Sequence, residues 1–202
     1  MLFRYWNLVT PNKAAREYLL RDFVQNGQLA AFLVAVKQGS LLLWDVTTGA
    51  GTVLGDGVLT AYYPLNVLYL PFIRSGLIVH HVFQYALVFH FVLMGMFMYC
   101  LLRELGSSRR GAFLAGLIYM FNGYTLVHSM HLTLVQTMAW LPLIFMMIER
   151  GRRMKELLPA AWAGIAMGMG VLGGHPQVYY YAALAVTIHA LFWTVAGWRE
   201  AG

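Results

Sequence analysis

The sequence predicts an all-helical membrane protein, a bundle of about five transmembrane spans preceded by a segment on the outer side. Composition is the first reason. Of 202 residues, 60% are hydrophobic and only 11% are charged, against about 25% charged in a soluble domain, and the mean hydropathy is +0.62. The second reason is length: after residue 76 the chain holds five apolar stretches, each near the ~20 helical residues that cross a hydrocarbon core. The third is how charge is sorted. Beyond residue 76 every Lys or Arg lies in one of two connections or at the end: Arg103, Arg109 and Arg110; Arg150, Arg152, Arg153 and Lys155; then Arg199. The connections at 128–133 and 173–177 carry no formal charge and are rich in His and Gln. Alternation of basic and uncharged turns follows the positive-inside rule, so the basic turns face the cytoplasm and the His/Gln turns the far side.

The spans are expected at 77–102, 111–130, 132–148, 157–174 and 178–197. The first contains His80, His81, Gln84 and His90, groups that are costly against lipid and so should face other helices. The second has Asn122 and Tyr124 in its outer half, and the third is short and interrupted by Pro142. The fourth offers Gly164, Gly168 and Gly170 for close helix packing. The fifth places Trp193 and Trp198 near its cytoplasmic end, where indoles favour the interface.

This orientation makes residues 1–76 extracytoplasmic. Residues 12–37 read as a surface helix broken at Gly27, with Asn12 as N-cap. Trp44 and Asp45 precede a stretch with glycines at 49, 51, 55 and 57, which reads as irregular backbone buried in protein or lining a wet cavity. The apolar run ending at Phe72 is too short to span, and reads as re-entrant or interfacial. No stretch in this segment would carry it across the membrane, so a longer chain with an upstream span is expected.

The net charge of +6 does not point to nucleic acid, because most basic residues flank apolar spans. Cys100 is the single cysteine, which excludes a disulfide framework and a paired-cysteine metal site. The acidic residues Glu104, Glu149, Glu156 and Glu200 fall on the cytoplasmic side. Carboxylate chemistry at the outer face is thereby limited to Glu17, Asp22, Asp45 and Asp56, or to residues of a longer chain.

A series of motifs resembles the YfhO family of bacterial multispan membrane proteins. It runs through Asp22-Phe23-Val24, Gln28 and Phe32, then Gly39, Trp44-Asp45, Gly49, Gly51 and Tyr63-Pro64-Leu65-Asn66. It continues with Leu105 to Arg110, Phe121, Gly123-Tyr124, His131 to Gln136, Trp140-Leu141-Pro142-Leu143 and Gly174-His175-Pro176-Gln177. The similarity covers roughly residues 20–195, in family order. The family is similar to the GT-C class of glycosyltransferases, which move a sugar from a polyprenyl-phosphate carrier to an acceptor at the outer face. The resemblance therefore implies a GT-C-like fold, a bacterial cytoplasmic membrane location, and three partners: membrane lipid, a polyprenyl-phosphate-linked sugar and a cell-envelope acceptor. In that class an acidic residue of the first outer loop is the catalytic base or acceptor orienter, and Asp22 fits that place.

An inverting transfer needs a carboxylate for the acceptor proton and donors for the leaving phosphate. Asp22 is the first candidate and Asp56, in the glycine-rich loop, the second. Arg21, Arg16 or the histidines would hold the phosphate. Asp45 reads as a turn residue satisfying backbone donors beside the substrate region. His128 and His131, three apart at a helix end, share a face, and His175 lies at the next outer turn. Three imidazoles could bind Zn²⁺, but the spacing is loose and no acid completes the set. They are read instead as lining a polar cavity, and no cofactor or metal is expected. Gln136 and Gln177 suit sugar hydroxyls, and Trp44, Tyr63 and Tyr124 could stack on sugar rings, although a headgroup-level aromatic belt is the plainer explanation. Two other functions compete: a transporter or flippase whose intramembrane polar residues line a path, and a non-catalytic assembly subunit.

Overall fold

The structure is a computed structural model, and it describes residues 39, 44–45, 52–53, 62–74, 77–78, 81–129 and 131–201. Among them the architecture is helical. The helices are α1 (His81–Glu104), α2 (Arg109–Met120), α3 (Gly123–Val127), α4 (Leu132–Met154), α5 (Leu157–Leu172) and α6 (Pro176–Ala201). A 3₁₀ segment, Pro64–Phe72, precedes them. Extended structure among the described residues is confined to two antiparallel pairings of two residues each. β1 (Trp44–Asp45) pairs with β2 (Thr52–Val53), and β3 (Ile73–Arg74) with β4 (Leu77–Ile78). Asp45, expected in a turn, thus sits opposite Thr52 in a short ladder.

Among the described residues three helices are long and apolar enough to cross a membrane: Gln84–Glu104, Leu132–Met154 and Pro176–Gly197. Leu157–Leu172 is apolar but shorter. The expected second span is not one helix. α2 stops at Phe121, and Asn122 starts α3 by accepting from Thr125 N at 3.0 Å while its amide nitrogen donates to Tyr119 O at 2.7 Å. A short polar side chain that bonds nearby backbone on both sides substitutes for helical hydrogen bonds and divides the run.

The third helix departs in the other direction. It passes through Pro142 and ends at Met154 rather than 148, with Lys155 in the left-handed region at φ 56°. Proline removes one N–H and leaves the carbonyl four residues earlier, Met138 O, without its usual donor. The Tyr119 hydroxyl of α2 supplies that bond at 2.9 Å. A neighbouring helix satisfies the freed carbonyl, so the proline is accommodated without a break.

α4 is the centre of the bundle: 61% of its most apolar window is buried, against 33% for α1 and 11% for α6. It packs mainly against α1 and α5. One core gathers Tyr69, Ala86, Leu87, Phe91, Met94, Leu132, Leu134, Val135 and Ala139. A smaller one joins Ile144, Ala166 and Val186 of α4, α5 and α6. α1 and α2 cross at Gly95 and Gly116, where a Cβ on Gly116 would stand 2.8 Å from Gly95 O. Absence of side chains is what permits this approach.

The ends of the bundle are sorted as the charge pattern requires. Arg153 of α4 donates to Glu104 at the end of α1, to its carbonyl at 2.7 Å and to Oε1 at 3.1 Å. At the opposite end His175 N reaches Thr137 Oγ1 at 3.3 Å, one turn inside α4. The basic turns therefore share one end and the histidine turns the other.

Candidate functional site

Residues 62–71 lie against the bundle by one face: Tyr63, Asn66 and Tyr69 are buried, while Tyr62, Val67 and Leu68 are exposed. Pro64 opens the 3₁₀ segment, where its missing N–H costs nothing, and Asn66 N bonds Tyr63 O at 2.9 Å. Tyr63 is buried at the level of His90 and Trp140. These lie nine and eight residues into α1 and α4, which is about 12–14 Å from the helix starts. From Tyr63 the apolar run packs along α1, with Tyr69 in the core beside Ala86 and Leu87.

At that depth the polar groups form a directed chain. Trp140 Nε1–H donates to the Tyr63 hydroxyl oxygen at 2.9 Å, since indole is a donor only. His90 Nδ1 is 2.7 Å from the Ala86 carbonyl, which can only accept, so that nitrogen carries the proton. The neutral ring then presents Nε2 as acceptor to the Tyr63 O–H at 2.8 Å. Each member is satisfied, and three separate elements are tied together by groups that lipid could not serve.

Other polar side chains are buried on the same elements, Asn66 and Tyr69 on the 3₁₀ segment, Gln84 on α1 and Gln136 on α4. Of these Tyr69 lies by Tyr63, and the Gln136 amide lies beside the Tyr69 hydroxyl. Gln136 is fully buried, and although it lies by Tyr69, neither of its amide atoms makes a hydrogen bond of good geometry among the described residues. An unsatisfied buried amide costs ~1–3 kcal/mol and invites a polar guest or a water. Next to the cluster, a cleft of about 160 Å³ opens between the 3₁₀ segment and α1, walled by Leu65, Leu68, Tyr69, Tyr85, Phe89 and His90.

The remaining candidates fall at the histidine end. Tyr124 is exposed and stacks on His128 with ring centroids 4.4 Å apart. His128 in turn lies 6.2 Å from His131, and its Nδ1 bonds the Tyr124 carbonyl at 2.9 Å. His175 acts as a cap: its Nδ1 accepts from Val178 N at 3.3 Å at the start of α6. Gln177 is exposed and donates to Tyr181 Oη at 3.2 Å. The turn that carries them is pressed onto α4, since a Cβ on Gly173 would meet Thr137 N at 2.8 Å. Among the described residues no group of three or more His, Cys, Asp or Glu could hold a metal.

Of the sequence candidates, Tyr63 and Gln136 are brought into one buried cluster, and Tyr124, His128 and His131 into one surface stack. His175 and Gln177 belong to a separate turn. Trp44 and Asp45 lie in β1, and Arg21, Asp22 and Asp56 lie outside the described residues. Sequence reading does not single out Asn66 and Tyr69 as site residues, and assigns His90 and Gln84 only to helix contacts. The available signal is spacing: Gln84, Leu87, Phe91 and Met94 repeat at helical intervals and place Gln84 on the buried face. No known protein family, curated protein or solved structure matches the chain.

Proposed function

We propose that the chain is a multi-pass protein of the bacterial cytoplasmic membrane with a GT-C-like role, transferring a sugar from a polyprenyl-phosphate carrier to a cell-envelope acceptor at the outer face. The observation that carries the polar-substrate part of this reading is the set of polar side chains at the buried Tyr63: His90 and Trp140 bonded to it, Tyr69 beside it and Gln136 beside Tyr69. It lies in the histidine half of the bundle, where the 3₁₀ segment packs on α1 and α4. Of these side chains Tyr69 and His90 also wall the neighbouring cleft, and polar side chains at membrane depth mark substrate paths. The chemical part rests on the motif resemblance, which gives Asp22, with Asp56 second, the acceptor proton. In the reaction the acceptor oxygen bonds the anomeric carbon as the carbon–oxygen bond to phosphate breaks. The proton passes to the carboxylate, and polyprenyl phosphate departs with the bonding electron pair. Arg21 would face the departing phosphate, and the Tyr124–His128 stack offers ring faces to a sugar.

Membranes containing the protein, incubated with a radiolabelled polyprenyl-phosphate sugar, should label an acceptor, and Asp22→Asn or Asp56→Asn should abolish labelling. Unchanged transfer in both variants would remove the assignment. A second reading, a carrier of a polar substrate, is favoured by the buried Gln136 amide, whose atoms make no hydrogen bond of good geometry among the described residues. It predicts entry of intact labelled substrate into vesicles with no covalent product.

A further inference from the structure

At the basic end, the end of α1, the α1–α2 turn and the last turns of α4 line an open surface cavity of about 540 Å³. Its walls are Arg103, Glu104, Leu105, Gly106, Glu149 and Arg153. Both carboxylates are already engaged. Glu104 takes Arg153 at 3.1 Å and has Arg150 at 4.0 Å. Glu149 is forked by Arg152, whose guanidinium also lies 3.8 Å over the Trp193 ring. The cations are not used up. Arg103 spends one terminal nitrogen on the Ser107 carbonyl at 2.6 Å, and Arg153 spends one on Glu104. The other guanidinium nitrogens of both make no hydrogen bond among the described residues, and Arg153 has Glu149 as a second carboxylate nearby. Arg109, Arg110 and Lys155 on the adjoining turns make no ion pair among the described residues either.

We propose that this cavity is a binding site for the phosphodiester headgroup of an anionic phospholipid in the leaflet that meets the basic end. Two guanidinium forks with unspent N–H groups match phosphate oxygens in geometry and in charge. The rim selects a lipid over a free anion. Leu105, Met154 and Leu157 are exposed apolar side chains beside the arginines, so a headgroup in the cavity leaves its acyl chains against apolar surface. Basic pockets between spans at this depth are the places where such headgroups settle. The assignment does not depend on the transferase reading.

The test uses the protein in nanodiscs of phosphatidylcholine and phosphatidylglycerol in equal parts, with retained lipid read by native mass spectrometry. Phosphatidylglycerol should be retained preferentially. Arg103→Gln and Arg153→Gln should each lower that preference about fivefold. Arg109→Gln, outside the cavity, should lower it less. Arg153→Gln also loses a contact to Glu104, whereas Arg103→Gln gives up only a bond to a carbonyl, so the latter decides if the former misfolds. Equal retention of both lipids, an unchanged preference in Arg103→Gln, or an equal loss in Arg109→Gln would overturn the proposal. So would displacement of the lipid by inorganic phosphate but not by chloride at matched ionic strength, which would make the site one for a soluble anion.

Discussion

The hydroxyl of Tyr119 donates to the carbonyl of Met138 at 2.9 Å, the carbonyl that Pro142 deprives of its helical partner. One side chain on α2 therefore makes it possible for the central helix to run through a proline. Tyr119→Phe leaves that carbonyl buried and unpaired and should lower stability by about 1–3 kcal/mol. Pro142→Ala gives the backbone an N–H at that position, which would restore the helical bond, so adding Tyr119→Phe to it should cost much less. Thermal unfolding of the four proteins in one detergent measures the coupling; additive losses would contradict the account.

The Tyr63 relay predicts a similar coupling over a longer range. Tyr63→Phe removes the acceptor of Trp140 N–H and the donor to His90 at once. The expected loss is about 2–4 kcal/mol, with two buried groups left unpaired. Trp140→Phe in the Tyr63→Phe background should add less than it does alone, because its partner is already gone. The quantity to compare is the midpoint of unfolding for the single and double variants.

The crossing of α1 and α2 predicts an asymmetry between two glycines. A Cβ on Gly116 meets the Gly95 carbonyl oxygen, which is backbone, whereas one on Gly95 meets the Met120 thioether, which can swing aside. Gly116→Ala should therefore cost about 1–3 kcal/mol and Gly95→Ala distinctly less. Equal losses would mean that the helices can separate freely at this point.

Sidedness is open to a direct measurement. With Cys100→Ser as background, Gln177→Cys and Arg109→Cys both lie at exposed positions on opposite ends of the bundle. A membrane-impermeant maleimide applied to intact cells should label the first and spare the second until the membrane is opened. The reverse pattern would invert the orientation derived from the basic turns. Ser129 is unsuitable for this purpose, because it is buried with its hydroxyl on Leu126 O.

Much of the helical layout is legible in the residues alone. The spans at 77–102, 132–148 and 178–197 correspond to α1, α4 and α6, because continuous apolarity is a local property that one helix satisfies alone. The run at 111–130 misleads for a local reason as well. Asn122 at a helix boundary is a stronger signal than the hydropathy on either side of it. Pro142 misleads because the sequence shows the lost donor but not Tyr119, whose hydroxyl reaches the freed carbonyl across 19 residues. For the candidate site, Tyr63 and Gln136 stand out as polar-substrate residues, yet their burial beside Tyr69 is not visible in the sequence.

What the sequence determined by itself is the solvent the protein is built for and the sorting of its two ends. Both follow from sums over neighbouring residues, apolar length and the placement of Arg and Lys, and need no knowledge of contacts. Tertiary structure alone decided which polar side chains meet at membrane depth. Tyr63 reaches His90 across 27 residues and Trp140 across 77. Where water is absent, every buried donor must find an acceptor within the protein, and only the packing of the chain on itself settles which one it finds.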